Sequence, residues 1–388
     1  MQLVTGLNGA RKVPLVAGKV AARARPASWQ AIPSMNKRKP MHSIRLISAA
    51  LAFAIAPLLF GQSPQALTLS GDYPLTHDPS IARQGNTYYV FATGFAPGGG
   101  QFAIRCSNNL TDWKLCGHVF DEIPAWIREA SPRTRELWAP DISFFNGEYH
   151  LYYAYSAFGV NTSGIALATN ATLDPADPRY HWKDEGLVLK STEADNFNAI
   201  DPNIVLDDHG QPWLSFGSFW SGIKMRRMDA LSGEPDASDS TLYSLATRAK
   251  PADAAPAKPG LPPDWEAIEA PFIVRHGGYY YLFVSFDLCC RGTRSNYRTM
   301  VSRSRTVTGP YVDGTGKRML DGGGTQLLAA NSRWLGPGGE SVLQRPEGDI
   351  IVFHAYDANT GKPALQISTL TWKHGWPHAV VGTTGESK

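Results

Sequence analysis

The feature that most constrains the fold of this chain is a pattern that recurs five times along it. Each copy has a short apolar or β-branched segment, a polar turn with glycine, and a second segment rich in Tyr, Phe, Trp, Val and Leu, which indicates a β-hairpin. The copies begin at Pro79, Pro140, Pro202, Pro271 and Ser341. Their starts lie 61, 62, 69 and 70 residues apart, which leaves room for two further strands in each unit.

Five units of four strands each predict an all-β fold, a five-bladed β-propeller that spans residues 67–388. Segments 165–169 and 299–304 are candidates for further strands of the second and fourth units. Proline-rich stretches predict exposed loops at 120–136 and 248–264. A β-sandwich whose hairpins resemble one another by coincidence is the alternative fold.

The first 66 residues differ in charge from the rest of the chain. They hold nine Lys and Arg and no acid, whereas the remainder carries 28 basic and 34 acidic side chains, a net charge of −6. Basic residues before an apolar segment at 46–60, followed by small residues, predict an N-terminal extension with a signal peptide at 1–66 and a secreted or periplasmic protein. The apolar segment is shorter than the ~20 residues of a membrane span, so we expect no membrane association after cleavage. The acidic body argues against nucleic acid as a partner.

Export makes disulfides permissible for the four cysteines. Cys106 and Cys116 flank a predicted turn, so a bond between them would staple a hairpin. Cys289 and Cys290 are adjacent, and they either form a strained bond with each other or remain free thiols. Zinc is disfavoured because no histidine lies at ligand spacing from these cysteines.

Acidic residues recur where the first strand of each unit begins. The innermost strands of a propeller converge on its axis, so we expect these carboxyls to gather at one end of the central channel. They are Asp78, Asp141, Asp201, Glu269 and Glu340. Grouped carboxylates repel unless their pKa values separate, and a pair with separated pKa values is what glycosidic cleavage requires. We predict catalytic roles for Asp78, Asp201 and Glu269 and structural roles for the other two, with simple Asp-Pro turns as the alternative.

One repeat departs from the others in its second strand. Six residues after the glycine of the turn, four copies carry an apolar or aromatic residue and the fifth carries His354. A buried histidine needs a partner, so His354 is either a hydrogen-bonded core residue or a ligand of an axial metal ion or water. Aromatic residues near the acids are candidates for stacking on sugar rings or for core packing.

Eight short segments at these positions resemble the glycoside hydrolases of family 43, specifically their arabinanase branch. The segments extend over roughly residues 70–378 and begin at His77, Trp138, Ser156, Asn198, Ser215, Ile268, Cys289 and Phe353. Each segment alone is weakly specific, whereas all eight in the order of the family are a strong signal. The stretch 336–340 departs from the pattern because it lacks a histidine that the family often carries there.

The resemblance implies a secreted enzyme that cleaves α-1,5-L-arabinofuranosyl linkages in arabinan or arabino-oligosaccharides. Asp78 would be the general base, Glu269 the general acid, and Asp201 the residue that raises the pKa of Glu269. The family contacts substrate at the positions of Trp138, Phe158, Asn198, Ala199, Ile200, Ser218, Phe219 and Trp220. His354 matches a histidine that holds a cation, usually Ca²⁺, together with waters. We expect a monomer that inverts the anomeric carbon, with ~6.5–9.5 Å between the acid and base carboxyls.

Three alternatives stay open. An exo-acting α-L-arabinofuranosidase or β-xylosidase would share the fold, and loops that close one end of the cleft would distinguish it from an endo-acting enzyme. A retaining fructan hydrolase would hold its carboxyls closer together, at about 5.5 Å. A non-catalytic sugar-binding propeller has no need of all three acids.

Overall fold

The computed structural model describes residues 63–254 and 261–383. The predicted extension and signal peptide, with its apolar segment at 46–60, lies outside this range except for residues 63–66. No helix in the described ranges is both long enough and apolar enough to span a lipid bilayer.

Five sheets follow one another along the chain, one for each repeat. The first holds β1 (Ser70–Gly71), β2 (Ser80–Gln84), β3 (Thr87–Phe91), β4 (Gln101–Ser107) and β5 (Asp112–Phe120). The second holds β6 (Trp138–Phe145), β7 (Glu148–Tyr155), β8 (Gly164–Asn170) and β9 (Lys183–Lys190). The third holds β10 (Asn203–Leu206), β11 (Pro212–Phe216), β12 (Ile223–Arg227) and β13 (Tyr243–Ala246). The fourth holds β14 (Ile268–His276), β15 (Tyr279–Phe286), β16 (Arg298–Ser304) and β17 (Thr325–Leu328). The fifth holds β18 (Trp334–Leu343), β19 (Ile350–Asp357) and β20 (Pro363–Thr369), and a hairpin of β21 (Thr371–Lys373) and β22 (Trp376–His378) follows.

Within each sheet, consecutive strands pair antiparallel in chain order, and β1 adds to the first sheet by pairing parallel with β5. The predicted five-bladed β-propeller is therefore confirmed, and β8 and β16 lie where further strands are predicted. The predicted loop at 120–136 contains one short helix, α1 (Ala125–Ala130). Short 3₁₀ turns occupy Asp264–Glu266, Gly292–Arg294 and Met319–Asp321.

The turn chemistry fixes the inner hairpins. The turn between β6 and β7 is Asn146–Gly147, with φ values of 50° and 84°, and the turn between β14 and β15 is Gly277–Gly278, with φ values of 55° and 78°. Two successive positive φ values define the turn type that matches the right-handed twist of paired strands. The strands after these turns, β7 and β15, are buried along almost their whole length because neighbouring blades cover both faces.

The hydrophobic core lies between adjacent blades. One cluster joins the first blade to the second through large side chains, among them Phe91, Phe102, Leu151 and Tyr153. Another joins the first blade to the fifth, among them Ile81, Val90, Ile350 and Val352. Burial of this apolar surface on both sides of each sheet is what holds the five blades around one axis.

The ring is closed by the segment that precedes the first repeat. This segment runs antiparallel to β20, since the Leu67 N–H donates to the Ile367 carbonyl at 2.8 Å and the Leu75 N–H donates to the Pro363 carbonyl at 2.9 Å. The buried guanidinium of Arg105 donates to the Asp72 carbonyl at 2.6 Å. The segment thus completes the three-stranded fifth blade, ties it to the first blade, and leads directly into the site.

Candidate active site

The innermost strands of the first four blades are entered through the same backbone bend. Each has a proline preceded by a residue with positive φ, namely Asp78 (45°), Ala139 (45°), Asp201 (56°) and Ala270 (51°). Positive φ at a residue other than glycine costs free energy and is concentrated at functional sites. The bends bring Asp78, Asp201 and Glu269, the residue before Ala270, to one end of the axis.

These three predicted catalytic carboxyls line one cleft of about 820 Å³, to which all five blades contribute residues. Beneath it lies a cavity of about 30 Å³ on the axis, lined by Asp78, Asp141, Asp201 and Glu340 and, within residues 63–254 and 261–383, by no Lys or Arg. The structure thus brings together the acids that the repeats predict.

Asp78 is held in its ionised form. His77 Nδ1 lies 2.8 Å from its Oδ2, and the Thr93 hydroxyl donates to the same oxygen at 2.7 Å. Burial opposes ionisation, but the positive charge and hydrogen bond of His77, with the hydrogen bond from Thr93, outweigh it and hold the pKa of Asp78 well below its usual range. A carboxylate that stays ionised is suited to accept a proton.

Glu269, in contrast to Asp78, is stabilised in its protonated form. Burial raises the pKa of Glu269 to about 7, and the charge of Asp78 contributes further, against a hydrogen bond from the Ser218 hydroxyl at 2.5 Å. Burial, and then the charges of Glu269 and Asp78, raise the pKa of Asp201 well above its usual range, although the Ala270 N–H donates to Asp201 at 3.0 Å. Asp201 and Glu269 therefore compete for a proton near neutral pH, while Asp78 is ionised.

Seven of the eight predicted substrate-contact residues line the cleft: Trp138, Phe158, Asn198, Ile200, Ser218, Phe219 and Trp220. Phe158 is 71% exposed, with its ring centroid 5.1 Å from that of Trp138, so an apolar surface faces the cleft. Ala199 does not fit the prediction, because it is fully buried, does not line the cleft and donates its backbone N–H to Ser191. The neighbouring residues Asn198 and Ile200 face the cleft, whereas the side chain of Ala199 lies on the opposite side of the backbone.

Asp141 and Glu340 join neighbouring blades. Asp141 accepts from the Asn203 amide at 3.1 Å and from the Ile204 N–H at 2.8 Å, which links the second blade to the third. Glu340 accepts from Ser285 at 3.2 Å and from Thr299 at 3.0 Å, which links the fifth blade to the fourth. These contacts agree with the structural roles expected for both residues.

Sequence reasoning missed Thr93 and Tyr356, and it assigned Ser218 to substrate contact and not to the general acid. Thr93 and Ser218 donate to Asp78 and Glu269, and the Tyr356 hydroxyl lies 2.7 Å from His77 Nε2. All three occupy one register of the repeat, eight residues after the glycine of the turn. That register holds the aromatic residues Tyr155 and Phe286 in the other two copies, so an alignment of the repeats contains the signal.

His354 is fully buried, and burial together with the nearby His77 holds its pKa well below the usual range, so its imidazole is neutral. Its Nε2 has no hydrogen-bond partner among the described residues. The Asp78 N–H donates to its Nδ1 at 3.2 Å, and Nδ1 also lies 3.5 Å from Asp78 Oδ1, so a ring proton on Nδ1 would replace the first contact with a hydrogen bond to the carboxylate. With the proton on Nδ1, the free lone pair of Nε2 fits a cation whose other ligands are waters.

Both pairs of cysteines form disulfides. Cys106–Cys116 joins β4 to β5, as predicted for a disulfide across a β-hairpin. The adjacent Cys289 and Cys290 are also bonded to each other, and both line the cleft.

Comparison with known proteins gives one consistent family. The family model described as Glycosyl hydrolases family 43 matches residues 69–377. Extracellular endo-α-(1→5)-L-arabinanase 1 of Bacillus subtilis (strain 168) is 41% identical over 348 residues, which is 88% of this chain and 99% of that protein. Extracellular exo-α-(1→5)-L-arabinofuranosidase ArbA of Cellvibrio japonicus (strain Ueda107) is 43% identical over 305 residues, 78% of this chain and 85% of that protein. A solved structure of a GH43 endo-arabinanase from Bacillus licheniformis superposes with a TM-score of 0.71 at 44% identity, covering 80% of this chain and 99% of that one.

Proposed function

Because the chain belongs to family 43 of the glycosyl hydrolases, we propose that it is a secreted, endo-acting arabinanase that hydrolyses α-1,5-L-arabinofuranosyl linkages with inversion. One observation carries this proposal: a single cleft holds a carboxylate with a depressed pKa, Asp78, and a carboxylic acid whose pKa is raised to about 7, Glu269. Opposite protonation states near neutral pH are what a base and an acid for glycoside cleavage need.

In the proposed mechanism, Asp78 takes a proton from a water molecule as that water attacks the anomeric carbon. Glu269 donates its proton to the glycosidic oxygen, so the leaving sugar departs as a neutral alcohol. Thr93 and His77 hold the Asp78 carboxylate in place, and Ser218 holds Glu269. After product release, Asp78 loses its proton to solvent and Glu269 gains one.

The extent of the cleft supports endo action. Its walls include Trp138 and Phe158 from the second blade and, from the other side of the axis, Cys290 and Pro363 of the fourth and fifth blades. Lining residues on both sides of the carboxyls allow sugar units to bind on both sides of the scissile bond. Its volume of about 820 Å³ is within the range of sites that hold ligands larger than one sugar.

Digestion of linear 1,5-α-arabinan tests the proposal directly. We expect a ladder of short arabino-oligosaccharides at early times, because a cleft with sugar sites on both sides admits internal linkages. Size separation of the products measures this, and proton NMR at the earliest time points reports whether the new anomeric centre is inverted.

Two outcomes would contradict the endo assignment. Arabinose or one short oligomer from the outset would indicate the exo action named for the Cellvibrio relative. No product from arabinan, xylan or aryl glycosides would favour a non-catalytic sugar-binding propeller.

We further propose that His354 Nε2 and waters hold a Ca²⁺ ion on the axis. Two observations on the part of the chain that the structure describes support this proposal: Nε2 has no hydrogen-bond partner there, and the axial cavity is lined by four carboxyls and no basic side chain. When bound, the ion would supply positive charge that offsets the mutual repulsion of these carboxyls.

Removal of divalent ions tests the cation proposal without an activity assay. We expect protein dialysed against a chelator to gain several degrees in Tm when Ca²⁺ is restored, since ligand binding to the native state alone stabilises it. Replacement His354→Phe should abolish this gain, and the repeat register that holds His354 already carries Phe91 and Phe216. An equal gain in the variant, or none in the native protein, would contradict Ca²⁺ binding at His354.

A further inference from the structure

The two disulfides of this chain differ in what they can do for stability. A bond between Cys106 and Cys116 closes a loop across β4 and β5, which restricts the unfolded chain. A bond between Cys289 and Cys290 joins residues that a peptide bond already links, so it closes no such loop. Its contribution must therefore lie in the folded protein, where both cysteines line the cleft and Cys290 is exposed.

The segment that carries this disulfide is fixed from several directions. Asp287, which precedes it, accepts from Arg248 at 2.9 Å and from Arg298 at 2.7 Å. The Cys290 N–H donates to the Tyr356 hydroxyl at 2.8 Å. A surface held in this way loses little conformational entropy when a ligand binds, which favours affinity.

A single side chain, that of His77, lies between the disulfide and the proposed base, Asp78. Cys290 Sγ is 3.7 Å from His77 Nε2, and His77 Nδ1 is 2.8 Å from Asp78 Oδ2. Any sugar placed for attack by a water on Asp78 therefore lies close to the two sulfur atoms. Disulfide sulfurs are polarizable and carry no hydrogen-bond donor, so they suit the C–H face of a furanose better than its hydroxyls.

We propose that the Cys289–Cys290 disulfide is a substrate-contacting surface, which packs against the C–H face of the arabinofuranosyl unit next to the scissile bond and strengthens its binding. The inference rests on the proposed function and adds a specificity-determining contact to it. The second disulfide thus shapes the cleft, whereas Cys106–Cys116 lies away from it and packs against the core between the first two blades.

Selective reduction tests this surface in the double variant Cys106→Ser/Cys116→Ser, where Cys289–Cys290 is the remaining disulfide. A water-soluble phosphine reduces it: the phosphine is oxidised to its oxide, water supplies the oxygen, and the two sulfurs each gain a proton. We expect KM for α-1,5-arabinohexaose to rise about three- to tenfold with kcat nearly unchanged, the scale of a lost sulfur contact. Cys289→Ser/Cys290→Ser should show the same KM without reductant and no response to it.

Each other outcome overturns the proposal. A fall in kcat at constant KM would mean that the disulfide acts through Tyr356 and His77 on the base instead of contacting substrate. An unchanged KM in both the reduced and the serine-substituted proteins would mean that no sugar touches the sulfurs. Activity of the untreated double variant on arabinan is read first, so a failure of the proposed function appears before reduction and is separate from both results. Binding of arabinohexaose to the Glu269→Gln protein by calorimetry, with and without reductant, gives the affinity free of turnover.

Discussion

Replacement Glu269→Gln is expected to reduce kcat on arabinan by about 10²–10⁴-fold, the range that general acid catalysis contributes. The amide keeps the size of the side chain and can still pair with the Ser218 hydroxyl, but it has no proton to give to the leaving oxygen. Aryl arabino-oligosaccharides with a dinitrophenolate leaving group need no such proton, so their hydrolysis should be largely retained. Parallel kinetics on the two substrate types measures the effect.

Glu340→Gln provides the matched control for this prediction. Glu340 is also a buried glutamate, and burial raises its pKa to about 7, but it lines the small axial cavity and not the cleft. The Glu340→Gln variant should be less stable than the native protein, whereas its kcat should fall only modestly and equally on both substrate types. If Glu269→Gln slows both substrate types equally, Glu269 is not the proton donor, and Asp201 becomes the candidate.

The repeats made the architecture predictable because each hairpin carries its own local signal. Turns such as Asn146–Gly147 and the apolar segments after them are recognisable without any long-range information. Ring closure is different, since the segment near Leu67 pairs with Ile367, some 300 residues away, and has no repeat pattern of its own. Contacts of this kind depend on how the five units are arranged around the axis, and no local propensity encodes them.

The acids of the site were predictable for the same reason. Asp78 and Asp201 directly precede the proline of their repeats, and Glu269 lies one residue further upstream in its own repeat, so a propeller brings the three together. Which neighbouring side chain faces the cleft depends on backbone direction at a bend, and there the sequence is less informative. Ala199 was expected to contact substrate because the family resemblance includes its position, but its side chain is fully buried.

The proton balance between Asp201 and Glu269 leads to the second large effect, in the pH profile. The charge of Glu269 raises the pKa of Asp201, and this repulsion is reciprocal. Once either carboxyl has ionised, its charge therefore makes the remaining proton of the pair harder to remove. Glu269 acts as an acid only when it is protonated, so activity falls as pH rises through its pKa of about 7. Asp78 has a depressed pKa, so the acidic limb lies well below neutrality.

Replacement Asp201→Asn should therefore move the alkaline limb of kcat/KM to lower pH. When Asp201 and Glu269 share a single proton and Asp201 is the ionised member, its charge opposes ionisation of Glu269. A neutral amide removes this repulsion, so the reactive proton is lost at lower pH, and each pH unit of displacement costs about tenfold in rate on the alkaline side. The acidic limb, which reports Asp78, should move much less. A pH series of kcat/KM on a soluble arabino-oligosaccharide measures both limbs.

Asp141→Asn is the corresponding control, because Asp141 is a second buried axial aspartate that lines the small cavity and not the cleft. Its carboxyl accepts hydrogen bonds from the Asn203 amide and the Ile204 N–H. The Asp141→Asn variant should therefore have a lower Tm and an alkaline limb at the same pH as the native protein. An unmoved limb in Asp201→Asn, or an equal displacement in both variants, would remove Asp201 from the control of Glu269. Displacement of the alkaline limb in Asp201→Asn alone would show that the carboxyl of Asp201 keeps Glu269 protonated at a pH where Asp78 is already ionised.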